Sequence, residues 1–125
     1  MIALLQRVAE AAVHVNQNEV GRIENGMLAL IGVEKGDQLE QAERLIQRLM
    51  AWRMFGDSQD KMNLNLEQSG GGLLLVPQFT LAADTNSGNR PSFSSAAPPE
   101  EGKRLFDWLL AAARANWQPA RHCSA

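Results

Sequence analysis

The chain has 125 residues, of which 45% are hydrophobic and 21% charged. These are the proportions of an ordinary globular domain, and they exclude disorder as a global state. A formal net charge of −2 excludes a general, charge-driven nucleic-acid binder but leaves room for a local basic patch. The single cysteine, Cys123, excludes an intramolecular disulfide and suits a reducing compartment.

No apolar run approaches the roughly 20 residues of a membrane-crossing helix. Met1 to Glu10 has neither the basic start nor the cleavage site of a signal peptide. The expectation is one soluble, cytoplasmic domain over residues 1–125, with no membrane partner.

Ile2 to Val8 is aliphatic and Ala11 to Val15 alternates, which predicts one long bent strand or two short ones. Asn16 to Asn18 reads as a polar turn, Val20 to Ile23 as a short strand, and Glu24-Asn25-Gly26 as a hairpin turn. Met27 to Val33 is a continuous apolar run of strand length, predicting a central strand buried on both faces. Asp37 is the predicted N-cap of a helix that ends near Trp52. In that helix Leu39, Ala42, Leu45, Ile46, Leu49 and Met50 share one face. Glu40, Glu43, Arg44, Gln47 and Arg48 fall largely on the other, with Glu40 and Arg44 placed to pair one turn apart.

Arg53 to Phe55 predicts a short strand and Gly56 to Asp60 a turn. Met62, Leu64 and Leu66 alternate with polar residues, as in a half-buried strand. Ser69 to Gly72 reads as a turn, Leu73 to Leu81 as the strongest strand, and Ala82 to Pro99 as a long loop. Pro98 and Pro99, followed by Glu100 and Glu101, open a second helix whose apolar stripe is Leu105, Trp108, Leu109, Ala112 and Ala113. Pro119 ends it, and Ala120 to Ala125 carries no periodic pattern. Strand group, helix, strand group, helix predicts a mixed α/β (α+β) fold, with a largely antiparallel sheet system and two main helices packed on one side.

Several familiar chemistries are missing. The two histidines, His14 and His122, stand without a Gly-x-Ser-x-Gly elbow, so a Ser-His-Asp hydrolase is not supported. No Cys/His spacing fits zinc, and His14 lies in an apolar strand pattern that suits a structural role. Gly70-Gly71-Gly72 precedes a strand, whereas a phosphate loop follows one, so it reads as a plain turn.

The informative stretch is Val76 to Asp84, an apolar strand ending in polar residues before a long loop. Gln78 and Thr80 could offer an amide and a hydroxyl to a cleft, although a strand threonine is more often a packing choice. Gly88-Asn89-Arg90-Pro91-Ser92-Phe93 could form a rigid loop presenting a guanidinium to phosphate, or be a surface loop with a solvated arginine. Arg44, Arg48, Lys61, Arg90, Lys103 and Arg104 could supply local positive charge for RNA, each being individually an ordinary surface group.

Taken together, these stretches resemble the D-aminoacyl-tRNA deacylase family. Met1 to Val8 is similar to the family's first strand, and Gly32 to Asp37 to its turn into the first helix. Arg53-Met54-Phe55, Lys61 to Asn65, Gln78-Phe79-Thr80-Leu81 and Gly88 to Phe93 follow in the family's order, as far as about Ala115. The resemblance implies layered, barrel-like β-sheets with helices on one side, a homodimer, and no metal or organic cofactor. It implies hydrolysis of the ester joining a D-amino acid, or glycine mischarged on tRNA-Ala, to the 3′ end of tRNA. Gln78 and Thr80 would be the catalytic residues, with Pro77, Phe79, Arg90, Pro91, Ser92 and Phe93 binding substrate. Thr80 would act as a nucleophile, or else the RNA's own hydroxyl assists water while the protein positions the ester.

Two departures stand out. The family's motif opens with Ser where this chain has Pro77, which lacks a main-chain N–H. The family's closing Gly-Arg-Phe-like strand and Asn-x-Gly-Pro-Val-Thr run have no match after Trp117. The expectation is a shortened or frame-altered member without the Gly-Pro turn that excludes L-amino acids. The alternative function is then a catalytically impaired homologue that binds RNA or dimerises.

Overall fold

The computed structural model describes residues 1–78, 81, 96–116 and 120–122, residues 116 and 120–122 through their backbone alone. In chain order the elements are β1 (Ile2–Val8), β2 (Ala11–Val15), β3 (Asn18–Ile23), β4 (Gly26–Gly32), α1 (Leu39–Ala51), β5 (Phe55–Gly56) and β6 (Met62–Leu64). They continue with α2 (Leu66–Ser69), β7 (Gly72–Pro77), α3 (Pro99–Asn116) and β8 (Ala120–His122).

The first four strands form one long antiparallel ribbon with a bend in both arms. Val8 lies opposite Gly26 in the β1–β4 pair, and Ala11 lies opposite Ile23 in the β2–β3 pair. Three residues forward on one arm match three back on the other, so the register passes unbroken through the bend. Asn16 and Gln17 close the tip with φ of 51° and 69°, the left-handed pair that a two-residue hairpin turn requires. Glu24-Asn25-Gly26, expected to be a hairpin turn, is instead the bend in the returning arm. β3 and β4 pair with β2 and β1, not with each other.

The main sheet has the order β1-β4-β7-β8, with β1–β4 antiparallel and both β4–β7 and β7–β8 parallel. The two-stranded β2–β3 and β5–β6 pairs are antiparallel. A parallel β4–β7 pair needs a crossover, and α1, β5, β6 and α2 supply it. β8 forms where the sequence shows no periodic pattern. It is a three-residue strand held by backbone pairing to Leu73, Leu74 and Leu75 of β7.

Both faces of the main sheet are covered, which explains the uninterrupted apolar runs in β4 and β7. Met27, Ala29, Ile31, Leu73 and Leu75 face the helices, where they meet Ala42, Ile46 and Leu49 of α1 and Phe106, Leu109 and Leu110 of α3. Leu74 and Val76 face the other way, with Leu28 and Leu30, onto Ile23, Val13 and Val15 of the folded-over hairpin. Each fully buried leucine or isoleucine in such a core contributes about 1.5–3 kcal/mol.

Some local expectations shift. Gln38, not Asp37, is the N-cap of α1, and its N–H donates to Oε1 of Gln41 at 2.7 Å. Leu39 is 42% exposed although it falls on the helix's apolar face. The strand expected to run to Leu81 stops at Pro77, and the one expected through Leu66 gives way to α2, which Asn65 caps by accepting from the Gln68 N–H. Gly70 ends α2 at φ 71°, a conformation that disfavours a side chain. The glycine run is therefore a helix stop and strand entry. His14, read as structural, sits exposed in the hairpin with Nε2 4.0 Å from Glu19 Oε1.

Candidate active site

The parallel strands β4, β7 and β8 all end at one edge of the main sheet, and antiparallel β1 begins there, with Ile2 opposite Gly32. In mixed α/β sheets this is where a crevice forms between strand ends and helix starts. Gln78 lies at this edge, the first residue beyond β7, and is half-buried. Its backbone N–H donates to the Ile31 carbonyl at 2.7 Å, carrying the β4–β7 ladder one step past Pro77.

Pro77 is compatible with the strand for a geometric reason. Successive N–H groups in a strand point to opposite sides. Since that of Gln78 points at β4, the position of Pro77 faces the β8 side, where pairing ends with His122 opposite Leu75. The missing donor thus falls beyond the last paired residue of that side. Leu81 donates its N–H to the Gln78 carbonyl at 3.3 Å.

The long connection to α3 is tied to this edge at both ends. Leu81 is bonded to Gln78, Ala96 bridges to Glu34, and the Ala97 N–H donates to the Val33 carbonyl at 3.0 Å. Of the site residues expected from the sequence, Pro77 and Gln78 are thereby placed together. Phe79, Thr80, Arg90, Pro91, Ser92 and Phe93 lie outside the described residues, as does Cys123.

The same edge carries an ionic cluster that no sequence pattern signals. The Met1 ammonium contacts Asp37 Oδ2 at 2.8 Å and Glu34 Oε1 at 3.0 Å, while Asp37 also accepts from the Glu34 N–H at 2.8 Å. Burial works against the ammonium's charge, but hydrogen bonds and attraction from Asp37 and Glu34 outweigh it and raise its pKa. Beside this cluster, a cavity of about 510 Å³ opens between the starts of α1 and α3, lined by Gly36 to Glu40 on one side and Glu101 and Arg104 on the other. Pro77 and Gln78 are not among its lining residues. Of the candidate RNA-contacting cations, Arg104 is in this cavity, and Lys103 is held by Asp107 at 2.6 Å.

Among the described residues, no three His, Cys, Asp or Glu side chains group as a metal site, and no helix is long and apolar enough to cross a membrane. A half-buried amide at a strand terminus is suited to holding a polar substrate by hydrogen bonds.

The family model described as D-Tyr-tRNA(Tyr) deacylase matches residues 4–123 of the chain. The chain belongs to the D-aminoacyl-tRNA deacylase family. A D-aminoacyl-tRNA deacylase of Stenotrophomonas maltophilia is 54% identical over 119 residues, covering 95% of this chain and 82% of the relative. The one from Azotobacter vinelandii is 60% identical over 114 residues, covering 91% and 79%. Among solved structures, a c-Myc DNA unwinding element binding protein superposes with a TM-score of 0.91 at 25% identity, over 98% of this chain and 83% of the other. A probable eukaryotic D-amino acid tRNA deacylase gives 0.77 at 20% identity, over 90% and 66%, a likeness of fold. The family match runs to residue 123, past the Ala115 limit expected from motifs, and so includes β8.

Proposed function

We propose that this deacylase hydrolyses the ester between a D-amino acid and the 3′ adenosine of tRNA, acting in the cytoplasm as a homodimer and also on glycine mischarged on tRNA-Ala. Water adds to the ester carbonyl, the ribose oxygen leaves with a proton, and free amino acid and tRNA result. Gln78 and Thr80 act at the ester, and Pro77, Phe79 and the Arg90-Pro91-Ser92-Phe93 stretch hold the aminoacyl end.

The observation that carries this reading is the placement of Gln78. Its backbone is pinned to Ile31 at the strand-end edge, and its side chain is not sealed in the core. A neutral amide held on a rigid strand end suits orientation of the ester, which is worth large rate factors by itself. Family membership at 54–60% identity supports the same chemistry.

The test is deacylation of matched D- and L-aminoacyl-tRNA by the purified protein. Cleavage of the D ester with the L ester spared is the expected result. The comparison also reads out chirality in a sequence that contains no Asn-x-Gly-Pro-Val-Thr run. Protein that binds tRNA but leaves the D ester intact would instead be an RNA-binding homologue without catalysis.

A further inference from the structure

We infer that the outer side of α1 and the residues just beyond it, Arg44, Arg48, Trp52 and Arg53, form a docking surface for the sugar–phosphate backbone of tRNA. The inference rests on the tRNA substrate proposed above and extends it from the reacting end to the body of the RNA.

Arg44, Arg48 and Trp52 follow one another at four-residue intervals. They therefore line up along one side of the helix, about 6 Å apart. All are exposed, as is Arg53, and Trp52 is 54% exposed, while the opposite side of the helix buries Ala42, Ile46 and Leu49. Glu40 was placed to pair with Arg44, yet among the described residues neither Arg44, Arg48 nor Arg53 makes an ion pair. Other surface cations are held: Arg22 by Glu10 at 3.2 Å and Glu19 at 3.4 Å, and Lys103 by Asp107. No acidic residue occurs between Arg44 and Gly56. In a chain of net charge −2, this is a concentrated positive stripe, with the exposed carboxylates Glu40 and Glu43 only at its start.

The chemistry selects the partner. Unpaired guanidinium groups suit phosphate oxygens, and an exposed indole between them offers a stacking face to a base or ribose. A protein partner would be expected to depend on an apolar centre depleted in charge, which this stripe does not have. The placement fits too. α1 starts at the edge that carries Gln78 and runs about 20 Å away from it. An RNA whose 3′ end reaches that edge can lay its stem along the helix.

The test compares the parent with R44Q/R48Q and with W52A. Binding of uncharged tRNA is measured across a salt series, and hydrolysis is measured on D-aminoacyl-adenosine, a small ester without a stem. The double variant is expected to bind about tenfold more weakly and to lower the slope of log affinity against log salt by about 2. W52A is expected to lose about tenfold in affinity with its thermal midpoint unchanged. Hydrolysis of the small ester should be unaffected in both. Variants that bind tRNA as the parent does, a parent that binds no tRNA, or variants that alter sedimentation instead of RNA affinity would each overturn the docking face. A parent that shows the expected binding changes but cleaves no D ester would refute the proposed reaction and leave the docking face standing.

Discussion

Gly26 and Gly72 stand opposite each other where β4 and β7 begin, and a Cβ on Gly26 would lie 2.1 Å from the Gly72 carbonyl oxygen. The neighbouring atoms are backbone, so they cannot swing away. Gly26→Ala is therefore expected to destabilise the fold by about 3 kcal/mol, read as a lower urea midpoint at an unchanged slope. A midpoint equal to the parent's would show that the strands separate without cost.

Gln78 anchors the sheet through its backbone, so its side chain can be removed without breaking the ladder. Gln78→Ala is expected to lower kcat/KM on D-aminoacyl-tRNA about tenfold or more, the equivalent of a lost hydrogen bond, in protein that circular dichroism shows to be folded. Thr80→Ala is expected to fall likewise. If both variants match the parent, the assignment of this strand end as the reacting site is wrong.

Pro77→Ser restores an N–H that points to the β8 side, beyond the last paired residue. Among the described residues no sheet partner stands opposite it, and the freed backbone favours the unfolded chain. The expected change is a loss of about 0.4–1 kcal/mol in chemical denaturation. A more stable variant would mean that the new donor finds a partner.

The Met1 ammonium ties β1 to the segment before α1, and it makes stability depend on pH. Its folded pKa is raised above the ordinary value of 8.0, so the native state binds the proton more tightly than the unfolded chain. The contribution is fully present below pH 8.0 and is lost as pH rises through the raised folded value. Denaturation midpoints measured from pH 6 to about 10 should decline on the alkaline side. Asp37→Asn should flatten that decline, and an equal slope in both proteins would exclude the pairing as its cause.

Asp57 gives the opposite dependence. Its carboxylate accepts from the N–H groups of Lys61 and Gln59 and from Nδ2 of Asn63, which holds its pKa below the ordinary 3.8. The folded value is depressed, so its contribution is present above pH 3.8 and lost as pH falls through the folded value. Asp57→Asn should leave stability less steeply dependent on pH over that acid window, read by the same denaturation series.

What could be read from the sequence follows the range of the forces involved. α1 and α3 were readable because one-sided burial imposes a period, as with Ala42, Ile46 and Leu49, and β4 because burial on both faces leaves a continuous apolar run. The Gln78 stretch stood out because an apolar strand turns polar before a long loop. Non-local pairing was not readable. Asn25-Gly26 has the composition of a hairpin turn, but Gly26 is spent on close approach to Gly72, a residue 46 positions away. β8 has no pattern because backbone pairing to Leu73–Leu75 creates it. The Met1 cluster was invisible because a chain terminus carries its charge without any residue code.

The register that the ribbon keeps across its bend bears on how the chain finds its fold. Asn16 and Gln17 close a two-residue loop, and the β2–β3 and β1–β4 pairs follow outward from it, interrupted only by a bulge at Val13/His14 and by the bend, so the ribbon can zip from its tip at little entropic cost. The β4–β7 seam has no such head start, since it must bring together segments separated by the whole crossover. Substitutions near the tip should thus slow refolding, whereas those at the seam should mainly hasten unfolding, a division that stopped-flow rates on Asn16→Ala and Leu75→Ala would resolve.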